Sequence, residues 1–106
     1  MESLRGKTVR WRFADGPAAG MLFEHVFNED GTLVWRALDG AWKGASSQEQ
    51  RYGATKISDD VHAVSYLSKS GNTLTVLLNL ATGQAFGFAS SSSGWHSMTG
   101  TFEVIP

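Results

Sequence analysis

The sequence predicts an all-β fold, a single antiparallel up-and-down barrel of eight strands. Short segments alternate apolar and polar residues, a period of two that is typical of half-buried strands. Twelve glycines punctuate these segments, and no apolar stripe of helical period is long enough to predict a helix. Consecutive hairpins favour pairing between neighbours, and antiparallel strands lose their exposed edges by closing. A two-sheet sandwich is the alternative that periodicity leaves open.

The first half of the chain predicts three strands that share one apolar face. In Lys7–Phe13, apolar residues alternate with polar ones that include Arg10 and Arg12. Turns rich in glycine, aspartate and asparagine separate the strands, and residues 41–47 are expected to form a loop. The residues predicted to face inward here are Val9, Trp11, Phe13, Met21, Phe23, His25, Phe27, Leu33, Trp35 and Ala37.

The second half shows the same alternation of apolar and polar residues and predicts five more strands. Their inward row includes His62, Val64, Tyr66 and Ser68, together with the row that begins at Leu74. A turn of Lys, Ser, Gly and Asn closes one hairpin, and a run of four serines before a glycine is expected to be a mobile hairpin tip. The predicted strands are Gln48–Ile57, Val61–Ser68, Thr73–Leu80, Gln84–Ser90 and Trp95–Ile105.

The strand Gln84–Ser90 leaves its orientation open, because small residues and phenylalanines alternate along it. If the small residues face inward, Phe86 and Phe88 lie outside, which favours a homodimer interface. If the phenylalanines face inward, they belong to the core and that argument disappears. The outward arginines of the other strands are explained by charge pairs across the sheet.

Composition excludes several classes of function. The 106 residues are 42% hydrophobic and 18% charged, with a net charge of −1, which predicts one folded domain over residues 1–106. We expect no binding to nucleic acid, since no basic run occurs and the aromatic residues face away from the arginines. No cysteine is present, which excludes disulfides, thiolate metal sites and cysteine catalysis.

We also expect no contact with a membrane and a cytoplasmic location. No stretch approaches the roughly 20 apolar residues of a membrane span. Met1–Val9 carries no apolar run, so no secretory signal is expected.

Four segments follow one another in a characteristic order and spacing: Gly6–Phe13, Phe23–His25, Gly31–Arg36 and Val61–Tyr66. Together they resemble the small calycin barrels, above all the MoaF-like proteins and the bacterial phenolic acid decarboxylases, and Tyr52 and Leu78–Leu80 match the MoaF-like proteins. The resemblance runs from about Gly6 to Gly87, with one short insertion after Gly16. It implies a lipocalin-like closed barrel, often dimeric, with a pocket in the barrel mouth.

The residues that the resemblance implies for decarboxylase chemistry are absent from this chain. Trp11 and Phe13 stand where the decarboxylases carry a pair of tyrosines on the first strand, and Ser68 stands where they carry a glutamate. Their arginine falls near Ala45, with only Lys43 close by. The resemblance therefore supports the barrel and the pocket and implies no defined reaction.

The inward residues predict a pocket for a small apolar or aromatic ligand. Such sites are mostly apolar and aromatic, with a few polar groups that orient the ligand. Indole, phenyl and phenol rings offer flat stacking surfaces. The alternative is that these rings fill the barrel, since about eight strands lie at the limit between filled and hollow. The predicted ligand-binding residues are Trp11, Phe13, Phe23, His25, Trp35, Tyr52, His62, Tyr66 and Ser68.

The candidates for chemistry are His25, His62 and Tyr66. Histidine titrates near neutral pH, so either histidine could act as a general base with Tyr66 as proton donor. The alternative is that each histidine is buried and hydrogen-bonded. A metal site needs about three converging ligands, and His25, His62 and His96 lie on separate strands with no carboxylate beside them, so we expect no metal and no cofactor.

Three functions follow from this sequence. The first is a cytoplasmic barrel that binds a small aromatic molecule. The second is a cofactor-free lyase, isomerase or cyclase that uses the histidine and tyrosine candidates. The third is a filled barrel that serves as a homo-oligomeric interaction module through Phe86 and Phe88.

Overall fold

The structure, a computed structural model, describes residues 3–106 as one antiparallel sheet that curls almost into a closed barrel. The sheet order is β4-β3-β2-β1-β9-β8-β7-β6-β5, so every strand pairs with its neighbours in the chain, except that β1 pairs with β9 and β4 does not pair with β5. The strands are β1 Thr8–Phe13, β2 Leu22–Phe27, β3 Leu33–Asp39, β4 Ser46–Glu49, β5 Tyr52–Lys56, β6 Val61–Leu67, β7 Thr73–Asn79, β8 Gln84–Ser91 and β9 Gly94–Ile105.

The predicted all-β, up-and-down barrel is confirmed, with nine strands within residues 3–106 in place of eight. The extra strand arises because the segment predicted as one strand, Gln48–Ile57, is two. Glu49 and Tyr52 are both buried although they are three residues apart, which breaks the alternation of two. The segment pairs with β3 before the break and with β6 after it.

Side chains close the gap between β4 and β5. The Glu49 carboxylate accepts hydrogen bonds from Trp35 Nε1 on β3 and from the backbone N–H of Lys69 after β6, both at 3.0 Å. On the other strand, the Tyr52 hydroxyl donates to the carbonyl of Asn28 at 2.8 Å, and its backbone N–H donates to the carbonyl of Gly31 at 3.2 Å. These contacts hold the two free edges together without a strand ladder.

The orientation of β8 is decided by Phe13. A Cβ atom placed on Gly87 would lie 2.8 Å from Cζ of the Phe13 ring, so β8 presents small residues to the interior. Ala85 and Gly87 are buried, whereas Phe86 and Phe88 are 40% and 41% exposed. Of the two orientations that the sequence left open, the structure has the one with both phenylalanines outside.

The serine run forms the end of β8 and the turn that follows it. β8 continues to Ser91 and β9 begins at Gly94, so the hairpin tip is a two-residue turn. Trp95, 65% exposed, follows this turn and stacks on Phe88 with ring centroids 6.2 Å apart. The expected charge pairs are also present on the outside, because Glu24 on β2 bonds both Arg10 and Arg36 on its neighbouring strands.

We predict that Gly100→Ala destabilises the protein by about 1–3 kcal/mol, because a side chain there forces the backbone of β1 and β9 apart. A Cβ at this position would lie 2.0 Å from the carbonyl oxygen of Arg12. The matched control is Gly53→Ala on β5, where no atom lies within 4 Å of the added carbon. That variant should be as stable as wild type or gain up to about 1 kcal/mol, since glycine weakens strand interiors. Equal stability of the two variants in chemical denaturation would contradict the close packing of β1 on β9.

Candidate functional site

A cavity of about 520 Å³ opens at one end of the barrel. The loops after β1, β3, β6 and β8 surround its mouth, where Trp42 lies edge-on against Phe23 with centroids 6.4 Å apart. The floor is buried, whereas the rim residues are partly or fully exposed. The buried floor contains Trp11, Phe13, Phe23, His25 and Met98, and the polar rim contains Ser68, Ser70, Asn72, Thr73, Ser90 and Ser91.

The structure brings most of the predicted ligand-binding residues to this cavity. Seven of the nine line it: Trp11, Phe13, Phe23, His25, Trp35, Tyr66 and Ser68. Tyr52 and His62 are buried elsewhere in the barrel and do not line it. The seven share the inward face because strand alternation places them there, which is why sequence reasoning could find them.

His25 sits at the centre of the aromatic floor. Its ring stacks on Trp11 with centroids 4.0 Å apart and an interplanar angle of 22°. Its Nε2 lies 2.9 Å from the Tyr66 hydroxyl oxygen, while Nδ1 has no hydrogen-bond partner within residues 3–106. Complete burial lowers the pKa of His25 to about 3, so its imidazole is neutral at neutral pH.

Tyr66 is equally protected from ionisation. Burial, and then the negative charge of Glu49, raise the pKa of the Tyr66 hydroxyl well above its usual range. The pair of His25 and Tyr66 is therefore an uncharged hydrogen-bonded unit in the cavity wall. Groups that exchange protons efficiently have pKa values near the working pH, and both shifts move away from it.

Tyr52 and His62, the two predicted residues outside the cavity, are packed among other residues of the barrel. The Tyr52 ring packs on Phe27 at 5.0 Å, and the Arg5 guanidinium lies 5.0 Å from its centroid. His62 is buried on β6, and neither of its ring nitrogens bonds to a residue in the described range 3–106. Burial, and then the charge of Lys56, lower the pKa of His62. The structure thus does not bring His25 and His62 to one site.

Sequence reasoning missed the rim of the cavity except for Ser68, and it missed the Glu49 carboxylate. The rim residues come from the hairpin ends after β6 and β8, and strand alternation carries no information about how loops meet around a mouth. Glu49 lies in a segment predicted as a continuous strand, in which its inward orientation could not be read. Its position three residues before Tyr52 is the one signal of a break in alternation.

The described residues offer no obvious place for a metal. Across 3–106, no three His, Cys, Asp or Glu side chains converge on one point. The lining of the cavity supplies ring faces, hydroxyls and amide groups, which suit stacking and neutral hydrogen bonds. No helix in the described range is long and apolar enough to cross a membrane.

Fold and cavity together define a class of protein, a small antiparallel β-barrel with an aromatic cavity at one end. Residues 1–93 match the family described as the MoaF N-terminal domain. The chain therefore belongs to the MoaF family, which confirms the MoaF-like resemblance seen in the sequence.

Among the solved structures, ten chains resemble this one. One of them is a protein from Burkholderia vietnamiensis described as "a putative beta-lactamase". It superposes with a TM-score of 0.80 at 20% sequence identity, covering 96% of this chain and 95% of the other. At that identity the likeness concerns the fold alone. No curated protein matches the chain.

We predict that protonation of His25 opposes folding below neutral pH. Its pKa is about 3 when folded and 6.5 when exposed, so between these values the unfolded chain binds a proton that the folded chain does not. His25 should therefore contribute a loss of about 2 kcal/mol in the free energy of unfolding between pH 7 and pH 5. His25→Gln should show a shallower loss than wild type over this interval. A wild-type His25 resonance that titrates near pH 6.5 in NMR would contradict this burial.

Proposed function

We propose that this protein is a calycin-type barrel that binds a small, largely apolar, aromatic molecule in its mouth cavity. The observation that supports it best is the aromatic lining of a cavity of about 520 Å³, since ligand sites of roughly 300–1,000 Å³ are commonly apolar with a few polar groups. A barrel of about eight strands is wide enough for one small ligand. The MoaF family membership is consistent with this proposal and names no ligand.

A cytoplasmic location is part of the same proposal. It rests on composition, because small secreted domains are commonly rich in disulfides and this chain has no cysteine.

Binding is better supported than the alternative of a cofactor-free lyase, isomerase or cyclase. A general base with a pKa of about 3, the value for His25, holds a proton weakly at neutral pH. The raised pKa of Tyr66 makes its hydroxyl a poor proton donor in a reaction. Both groups can still form neutral hydrogen bonds, which a binding site uses to orient its ligand.

We predict that Ala89→Phe weakens the binding of the uncharged fluorescent probe N-phenylnaphthylamine by about tenfold or more, a loss of roughly 1.4 kcal/mol. Ala89 lines the cavity, so a phenyl ring there occupies the space of the ligand. The matched control is Ala81→Phe, which adds the same ring at an exposed position in the turn between β7 and β8, away from the cavity, and should bind the probe like wild type. Absence of probe binding to wild type, or equal affinity in both variants, would argue against the cavity as the site.

A second proposal concerns association with another copy of this chain. On β6, β7, β8 and the first residues of β9, the residues that alternate with the inward rows are all uncharged. We call this surface the uncharged outer face; it comprises Val61, Ala63, Ser65, Leu67, Thr75, Leu77, Asn79, Gln84, Phe86, Phe88, Trp95 and Ser97.

A second copy suits this surface because a two-fold interface places the same patch on both sides. With no charge on the uncharged outer face, two copies meet without repulsion and without burying an ion. Homodimer interfaces are rich in aromatic residues and poor in charge at their centre, as here around Phe86, Phe88 and Trp95. The opposite wall differs, since Arg10, Glu24 and Arg36 lie across its outside.

We predict that wild type sediments as a dimer and that the double variant Phe86→Ser, Phe88→Ser sediments as a monomer, because the apolar centre of the interface is lost. The control is Val26→Ser, Val34→Ser, which removes a paired apolar couple from the charged wall and should leave the dimer intact. A monomeric wild type in sedimentation velocity would refute the proposed interface.

A further inference from the structure

We infer that the ligand of the mouth cavity is an uncharged aromatic molecule with a hydrogen-bond acceptor, such as a carbonyl oxygen, on the end that enters first. This inference rests on the proposed binding function and specifies its ligand class. Its basis is the Tyr66 hydroxyl in the cavity wall, which lacks an acceptor for its proton when His25 donates to its oxygen, in a lining that carries no ionic side chain.

In the described part of the chain, no part of the cavity lining carries an ionic side chain. No Asp, Glu, Lys or Arg side chain lines the cavity, and its titratable groups are His25, Tyr66 and, at the exposed rim, His96. Moving an ion from water to a buried position costs several kcal/mol unless an opposite charge faces it. A charged head group in this floor would find none, so the site disfavours anions and cations alike.

The charge of Glu49 acts on Tyr66 in the cavity wall, but the geometry of this carboxylate opposes a role in attracting a cation. It does not line the cavity. Its two carboxylate oxygens accept from Trp35 Nε1 and the Lys69 N–H, one donor each. These bonds turn the carboxylate toward the gap between β4 and β5, which it closes.

The first free donor is the hydroxyl of Tyr66. A neutral histidine carries one N–H, on Nδ1 or on Nε2. If His25 carried it on Nδ1, that buried N–H would have no acceptor within residues 3–106, at a cost of about 1–3 kcal/mol. On Nε2 the proton is donated to the Tyr66 oxygen, 2.9 Å away. The hydroxyl proton of Tyr66 is then directed away from His25 and is available to a ligand.

The second donor without an acceptor in the described residues is the indole N–H of Trp11. Its nitrogen has almost no accessible surface although the Trp11 side chain lines the cavity, so a ligand in the cavity does not reach it. The Tyr66 hydroxyl is therefore the donor that a ligand can use. An acceptor on the ligand satisfies this hydroxyl, whereas a pure hydrocarbon leaves it unpaired, and buried donors are nearly always paired in folded proteins.

The test uses four compounds with one planar skeleton, each competing with N-phenylnaphthylamine. Fluorenone carries a carbonyl oxygen, and fluorene carries hydrogens at the same carbon. The fluorenecarboxylate anion and the fluorenylammonium cation carry their charges there. We expect both ions to bind wild type about 100-fold more weakly than fluorenone, since neither charge gains a partner.

The variants are Tyr66→Phe and, as matched control, Tyr52→Phe, which removes a buried hydroxyl away from the cavity. Tyr66→Phe should lower the ratio of fluorenone to fluorene affinity about fivefold, the value of one neutral hydrogen bond. Tyr52→Phe should leave the ratio unchanged. A further measurement needs no variant: the nitrogen chemical shifts of His25 in wild type should report the proton on Nε2.

The possible outcomes test the binding function and the inferred ligand class separately. Wild type that does not bind the probe refutes the binding function and this inference with it. Probe binding in which either ion competes within about threefold of fluorenone overturns the uncharged ligand and leaves the binding function standing. An unchanged ratio in Tyr66→Phe, or a His25 proton on Nδ1, overturns the acceptor in the same way.

Discussion

The buried carboxylate of Glu49 is the interaction on which the barrel and its cavity depend. β4 and β5 share no ladder, so the sheet has two free edges that side chains must join. Glu49 links β3 to the turn after β6 by accepting one hydrogen bond from each, and Tyr52 links β5 to the turn after β2. A buried carboxylate is costly to desolvate and is retained only where donors satisfy it. Without this closure, the walls of the cavity would be an open sheet.

Inside the barrel, the sizes of the side chains that face one another determine where the cavity lies. The Phe13 ring fills the position that a side chain on Gly87 would take, so large residues of β1 and β2 face small residues of β8. Phe27, Leu33 and Leu78 are fully buried in the core. Toward the mouth the facing residues are shorter and polar, and the interior opens. The small inward residues of β8 also force Phe86 and Phe88 to the outside, so one packing relation shapes both the cavity and the outer surface.

The floor of the cavity is mainly aromatic and electrically neutral. Burial keeps the His25 imidazole neutral and the Tyr66 hydroxyl protonated. The hydrogen bond between them joins two facing parts of the cavity wall. Such a site can discriminate ligands by shape and by the placement of neutral hydrogen bonds. This character separates the protein from the decarboxylase pattern, whose two tyrosines and glutamate are replaced here by Trp11, Phe13 and Ser68.

Strand type, pairing and the inward row were determined by the sequence alone, because alternation with a period of two depends only on neighbouring residues. That is why seven residues of the cavity could be named in advance, including His25 and Tyr66. The tertiary structure alone decided the break after Glu49, the orientation of β8 and the placement of Tyr52 and His62 away from the cavity. Each of these depends on contacts between residues far apart in the chain: Glu49 with Lys69, Phe13 with Gly87, Tyr52 with Asn28. A local pattern shows which side of a strand is apolar, whereas closure and packing determine what that side meets.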